Sequence, residues 1–137
     1  MRRVLSLFAV LIAALGLSVV PAGSAAALGG ESLLCRIVPV SGNPPFTPTC
    51  SNRKLITGTY SAGFHVFDTS GTYDSITWIL PAGYPPNPGC GGFDCSINMS
   101  SSRDQDAVVS VVLVQGGASV TLTARAHINA VCGTVLC

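Results

Sequence analysis

Six cysteines, two histidines and six carboxylates are the side chains here that could do chemistry, and their spacing favours cross-linking over catalysis. The thiols are Cys35, Cys50, Cys90, Cys95, Cys132 and Cys137. An even set of cysteines in a short chain behind an export-type leader reads as a disulfide framework, because oxidising compartments make the cross-link the stable state. Cys90-Gly91-Gly92-Phe93-Asp94-Cys95 is a Gly-rich turn whose ends can approach to the ~5.5–6 Å Cα separation that a disulfide needs. Cys132 and Cys137 repeat that spacing, with Gly133 beside the first thiol. Cys35 and Cys50 bracket a bent segment containing Pro39, Pro44, Pro45 and Pro48. Sequential pairing is therefore favoured, with no thiol left free. The main alternative joins Cys50 to Cys137 and Cys35 to Cys132. Two pairs at one spacing also fit zinc, but zinc fingers belong to reducing compartments, and His65 and His127 fall in predicted strands away from both pairs. No Cys-x-x-Cys redox spacing occurs.

Only His65 and His127 could act as neutral-pH bases. His127 stands beside Arg125 on the polar side of a predicted strand. Glu31, Asp68, Asp74, Asp94, Asp104 and Asp106 all fall in predicted loops or strand ends, where turn formation accounts for aspartate. Asp104-Gln105-Asp106 offers two carboxylates, against the ~6–8 oxygen ligands of a calcium site. There is no nucleophile elbow, P-loop or dinucleotide fingerprint, so neither catalysis nor a cofactor is expected. Asn98-Met99-Ser100 matches a glycosylation sequon but lies in a predicted strand. The outstanding segment is 81–90, Pro-Ala-Gly-Tyr-Pro-Pro-Asn-Pro-Gly-Cys. Its prolines stiffen a loop that carries Tyr84, Pro85, Pro86 and Asn87, and stiff loops on β-scaffolds lose little entropy on docking. The competing explanation is that the prolines only end strands and guard an edge.

These residues follow a leader of signal-peptide form. Arg2 and Arg3 precede an uncharged, Leu/Val/Ala-rich run over 4–20, then Pro21 and the small residues Ser24-Ala25-Ala26-Ala27. Residues 1–27 are read as a cleaved signal peptide, and 28–137 as one domain in the extracellular space or periplasm. An uncleaved anchor is disfavoured because the run is short of the ~20 residues of a spanning helix. A lipoprotein is excluded by Leu34 before Cys35 and by the distance of that thiol from the leader. About 110 residues then remain, enough to bury a real core. They hold five basic and six acidic groups. Nucleic acid and anionic membrane are thereby excluded as partners, since both demand clustered Lys and Arg. Arg53-Lys54 is the one adjacent basic pair after the leader and reads as a solvated loop.

No helical periodicity follows the leader, and turn clusters recur at short intervals, as in an all-β sandwich or barrel. Strands are predicted over 33–38, 55–67, 75–80, 95–100, 107–115 and 118–131. The last two form the best-supported unit. Gly116-Gly117 is a two-residue connection in which both positions tolerate positive φ. Val120, Leu122, Ala124, Ala126, Ile128 and Ala130 alternate with polar residues, which sets the core face. A two-residue turn then pairs Gln115 with Ala118, Leu113 with Val120, Val111 with Leu122 and Val109 with Ala124. Val109, Val111 and Leu113 turn inward, and Val112 and Val114 turn outward as a modest binding surface or as plain strand propensity. In the upstream strand Tyr60, Ala62, Phe64 and Val66 alternate with Ser61, Gly63, His65 and Phe67. Ile76-Thr77-Trp78-Ile79-Leu80 carries the sole tryptophan, expected to be largely buried in a central strand.

The strand count, Tyr73…Ile76-Thr77-Trp78 and the closing Val-x-Leu-x-Ala-x-Ala-x-Ile edge resemble the immunoglobulin-like (Ig-like) and PKD-like modules of bacterial secreted and surface proteins. The resemblance spans 60–131, with Leu80-Pro81-Ala82-Gly83 where a PKD-like module would carry a Gly-Asp-Gly-like turn. It implies an antiparallel Ig-like β-sandwich and a secreted, non-enzymatic role, binding a protein or glycan at the cell surface or acting structurally. Two alternatives stand beside it. The length and short-range cysteine pairs are similar to the enediyne-binding chromoproteins of actinomycetes, implying a small-ligand carrier. A disulfide-braced loop presenting Gly83-Tyr84-Pro85 would suit a peptidase inhibitor.

Overall fold

A computed structural model describes residues 28–39, 43–69, 71–84 and 89–137. The leader, and Pro85, Pro86 and Asn87 of the proline-rich loop, lie outside the described residues. The chain is all-β there, with nine strands: β1 Ser32–Val38, β2 Thr49–Ser51, β3 Thr59–Phe67, β4 Ser75–Ile79, β5 Asp94–Ser100, β6 Gln105–Gln115, β7 Ala118–Ile128, β8 Val131–Cys132 and β9 Val135–Leu136. They form a three-stranded sheet in the order β1-β3-β5, a four-stranded sheet in the order β2-β7-β6-β4, and a β8-β9 ribbon. All pairs are antiparallel except β2 with β7.

The β6–β7 hairpin orders the larger sheet. Gly116 and Gly117 have φ of 58° and 82°, the left-handed values that a two-residue turn requires at both positions. The turn is tied down where the Gly116 amide donates to Asp74 Oδ2 at 2.7 Å. Gln115 faces Ala118, Val111 faces Leu122 and Val112 faces Thr121, so the two-residue register holds along the whole ladder. Val109, Val111 and Leu113 are sealed from solvent, whereas Val112 and Val114 are half-buried on the other side. Across that outer surface run Thr77, Val112 and Thr121 in one row and Ser75, Val114 and Ser119 in the next.

In the smaller sheet the same period of two buries Leu33, Cys35 and Ile37 from β1, Tyr60, Ala62, Phe64 and Val66 from β3, and Cys95, Ile97 and Met99 from β5. These side chains and the inward set of β6 and β7 form one hydrophobic cluster, so both sheets share a core. Burial of that apolar surface is the dominant stabilising term.

The structure corrects several boundaries. The predicted strand over 55–67 begins only at Thr59, because the preceding backbone is held by side chains: the Tyr60 hydroxyl accepts from Ile56 N–H, and Ser101 Oγ accepts from Gly58 N–H. The strand over 118–131 stops at Ile128, since Asn52 Oδ1 takes the Asn129 amide and Asp104 Oδ1 the Ala130 amide. The tryptophan strand is an edge strand, not a central one. Trp78 is half-buried against the core, because its strand is flanked by β6 on one side only.

Candidate functional site

Three disulfides join Cys35 to Cys50, Cys90 to Cys95 and Cys132 to Cys137, with no free cysteine. The first staples β1 to β2, the second closes the loop entering β5, and the third ties β8 to the C-terminus.

The histidines lie on opposite outer faces. His65 Nδ1 is 2.6 Å from Asp94 Oδ1 across the β3–β5 pair, and its ring packs edge-on to Phe67 with centroids 4.6 Å apart. His127 Nδ1 is 3.0 Å from Asp106 Oδ1, which also accepts from Arg125 Nε at 2.8 Å. The Arg125 guanidinium lowers the Asp106 pKa to about 2, with His127 adding to the pull against the opposing loss of hydration. Asp106 in turn raises the pKa of Arg125. Asp104 bonds to Ala130 instead, so the two carboxylates of the calcium candidate serve different partners. Among the described residues no three His, Cys, Asp or Glu side chains converge on a common centre.

A recess with apolar side chains in its wall lies along β4. Alternation turns Ile76, Trp78 and Leu80 to the core side of that strand. Among the described residues no further strand covers them, and the segment 90–93 of the connection to β5 lies against this side. Within it Gly92, at φ 54°, lets the backbone fold back, and Gly91 bridges to Asp94 just inside the Cys90–Cys95 bond. The Gly92 carbonyl accepts from Trp78 Nε1–H at 3.1 Å, which gives the half-buried indole a polar partner. Phe93 meets Tyr73 edge-on at 5.7 Å. Between these parts lies a groove of about 430 Å³ lined by Ile76, Thr77, Trp78, Leu80, Cys90 and Gly91. That is within the ~300–1,000 Å³ range of small-molecule sites, and an apolar wall with a few polar groups is their usual chemistry.

Of the predicted binding loop, Tyr84 is described, and it folds inward. Its ring packs on the core and its hydroxyl donates to Gln105 Oε1 at 2.7 Å. The disulfide-closed loop over Trp78 was not foreseen as part of a site. Its one signal in the sequence is the Gly91-Gly92 pair between two cysteines shortly after the tryptophan strand. Comparison with protein-family models, with curated proteins and with solved structures finds no match.

Proposed function

We propose that the chain is a secreted, non-enzymatic binding module of Ig-like architecture, whose ligand seat is the groove beside Trp78. The architectural reading is supported by two sheets with one core, and by links from β3 to β4 and from β4 to β5 that each cross between sheets, as in Greek-key sandwiches. Export is supported by three disulfides, which persist in oxidising compartments, together with the signal-like leader. Among the described residues no helix is long and apolar enough to cross a membrane.

The observation that carries the functional reading is the groove itself. Its lining combines the apolar side chains of Ile76, Trp78 and Leu80 with the Thr77 hydroxyl, a surface suited to holding an apolar ligand. Of the readings open at the outset, this groove favours a carrier of a small apolar ligand, one that stacks on the indole and extends toward Ile76 and Leu80. The inhibitor reading loses support, because Tyr84 is packed inward and not presented.

Trp78 is the only tryptophan, so its emission reports directly on the groove. Titration with anilinonaphthalene sulfonate should give saturable quenching of the indole with energy transfer to the probe. Leu80→Asp, at the half-buried rim, should weaken the probe's binding while the far-ultraviolet spectrum is kept. Absence of saturable quenching, or unchanged probe binding in the rim variant, would sink the assignment.

A further inference from the structure

At the opposite edge of the two sheets, β1 and β2 are joined by the Cys35–Cys50 bond, and a second recess of about 120 Å³ opens beside it. Its volume is well below the ~300 Å³ at which sites for drug-sized molecules begin, so it suits a group of a few heavy atoms. Its rim is polar and cationic, formed by Arg36 from β1, Thr49 and Ser51 from β2, and Arg53 just beyond, with Pro44 and Pro45 as a wall. No acidic side chain lines it among the described residues.

Both guanidinium groups keep their charge available. The ion pairs of the described residues are His65–Asp94, Arg125–Asp106 and His127–Asp106, and neither Arg36 nor Arg53 enters one. All six acidic residues are engaged elsewhere. Glu31 accepts from Gly29 and Tyr73, Asp68 from Ser32, Asp74 from Gly116 and Asp104 from Ala130, while Asp94 and Asp106 hold the histidines and Arg125. Arg36 is positioned by neutral partners only. Its Nη1 donates to Asn43 Oδ1 at 3.0 Å, and its guanidinium lies 4.7 Å from the centroid of the Phe46 ring. A cation oriented by an amide and an aromatic face retains its attraction for an anion, at little further cost in side-chain ordering.

We propose that this recess binds a small oxyanion, a phosphate or sulfate group. Arg36 and Arg53 would supply charge-assisted donors and the Thr49 and Ser51 hydroxyls further hydrogen bonds. The disulfide fixes the geometry, because it holds the strand bearing Arg36 against the strand that leads to Arg53. The site is separate from the Trp78 groove and shares no lining residue with it.

The test is amide-resolved NMR titration of the disulfide-bonded protein with sodium sulfate, sodium phosphate and glycerol 3-phosphate, at ionic strength held constant with chloride. Saturable shifts centred on Arg36, Thr49 and Ser51 are expected. Arg53→Gln, at an exposed position, should weaken them about tenfold or more, as loss of a charge-assisted contact does. Lys54→Gln, an adjacent charge that does not line the recess, should leave them intact. Binding of the inorganic ions in preference to the ester assigns the site to free anions, and the reverse assigns it to an esterified group on a larger molecule. Failure to saturate below about 10 mM, or equal weakening by Lys54→Gln and Arg53→Gln, would overturn the proposal. Probe binding at Trp78 should be unchanged in Arg53→Gln, so the two sites stand or fall separately.

Discussion

Removing one oxygen atom from Tyr60 should destabilise this domain more than most surface substitutions could. Tyr60 is 0% exposed and heads the fully buried side chains by volume. Its hydroxyl oxygen accepts from Ile56 N–H at 3.0 Å, and its proton faces the carbonyls of Lys54 and of Ile56, the latter at 2.9 Å. Ser101, also 0% exposed, grips the same segment. It accepts from Gly58 N–H at 2.9 Å and faces the carbonyls of Ile56 at 3.2 Å and Gly58 at 3.1 Å. Tyr60→Phe preserves the ring, so no cavity opens. What is lost is the partner of a backbone amide in a half-buried segment, and leaving such a group unmet costs about 1–3 kcal/mol. We expect a loss of about 2 kcal/mol for Tyr60→Phe and about 1–2 kcal/mol for Ser101→Ala. Both act on residues 54–58, so releasing that segment once makes the second release cheaper. The double variant should fall short of the summed losses by about 0.5 kcal/mol or more.

The assay is urea unfolding with disulfides intact, in which the midpoint falls while the slope holds, because the surface exposed on unfolding is nearly unchanged. In thermal melts of a domain this size each kcal/mol corresponds to a shift of about 4 °C, so Tyr60→Phe should melt about 8 °C lower. A Tyr60→Phe variant within about 0.5 kcal/mol of the parent would show that water replaces the hydroxyl, and would refute the claim that it organises this loop. Strict additivity with Ser101→Ala would refute the shared segment.

Other expectations follow from the same geometry. Val111→Asp buries an unpaired charge at a sealed position and should prevent stable folding, whereas Val112→Asp, on the outer face, should cost about 1 kcal/mol or less; equal thermal stability of the two would contradict the register. The Asp106 carboxyl should titrate with a pKa of about 2 by NMR, and Arg125→Gln should return it toward the ordinary 3.8. Because that pKa is depressed, the contribution of Asp106 is complete above the ordinary value and is lost as pH falls toward 2, so the stability gap between the parent and Asp106→Asn should close over that window. A gap independent of pH there would exclude the Arg125 contact as its source. Removing Cys35–Cys50, whose residues are 15 apart, should cost about 3 kcal/mol, against about 2 kcal/mol for either bond of separation 5, as measured by urea unfolding of paired Cys→Ala variants. The reverse order would argue against loop closure as the main effect.

What could be read from the chain beforehand followed the strength of local patterns. The β6–β7 ladder was legible residue by residue, because a period of two over eleven residues and a Gly-Gly turn leave one register that buries the apolar set. β2, β8 and β9 were not, since strands of two or three residues hold too little alternation to detect. The edge position of β4 was hidden for another reason: alternation shows which side of a strand faces the core but not how many neighbours it has. Trp78 was consequently expected to be sealed in, and its open flank emerged only with the strand order. The start at Thr59 and the stop at Ile128 escaped because side-chain hydrogen bonds set them, from Tyr60 and Ser101 at the first and from Asn52 and Asp104 at the second.

The same logic explains why the two candidate sites sit where they do. Two open sheets present four edge strands, here β1 and β5 in one sheet and β2 and β4 in the other. Uncovered edges invite pairing with other chains, and they need blunting. At one side Cys35–Cys50 ties β1 to β2, and at the other the Cys90–Cys95 loop folds over β4 and bonds to its indole. Each closure is made by a cross-link and irregular backbone, so neither fills the space beside the edge as a strand would. A recess is left beside each closure. Their linings differ because the neighbouring residues differ: Ile76, Trp78 and Leu80 on one side, and Arg36, Thr49, Ser51 and Arg53 on the other. In this chain the disulfides both protect the edges and stand beside two recesses of different chemistry, one apolar and one cationic.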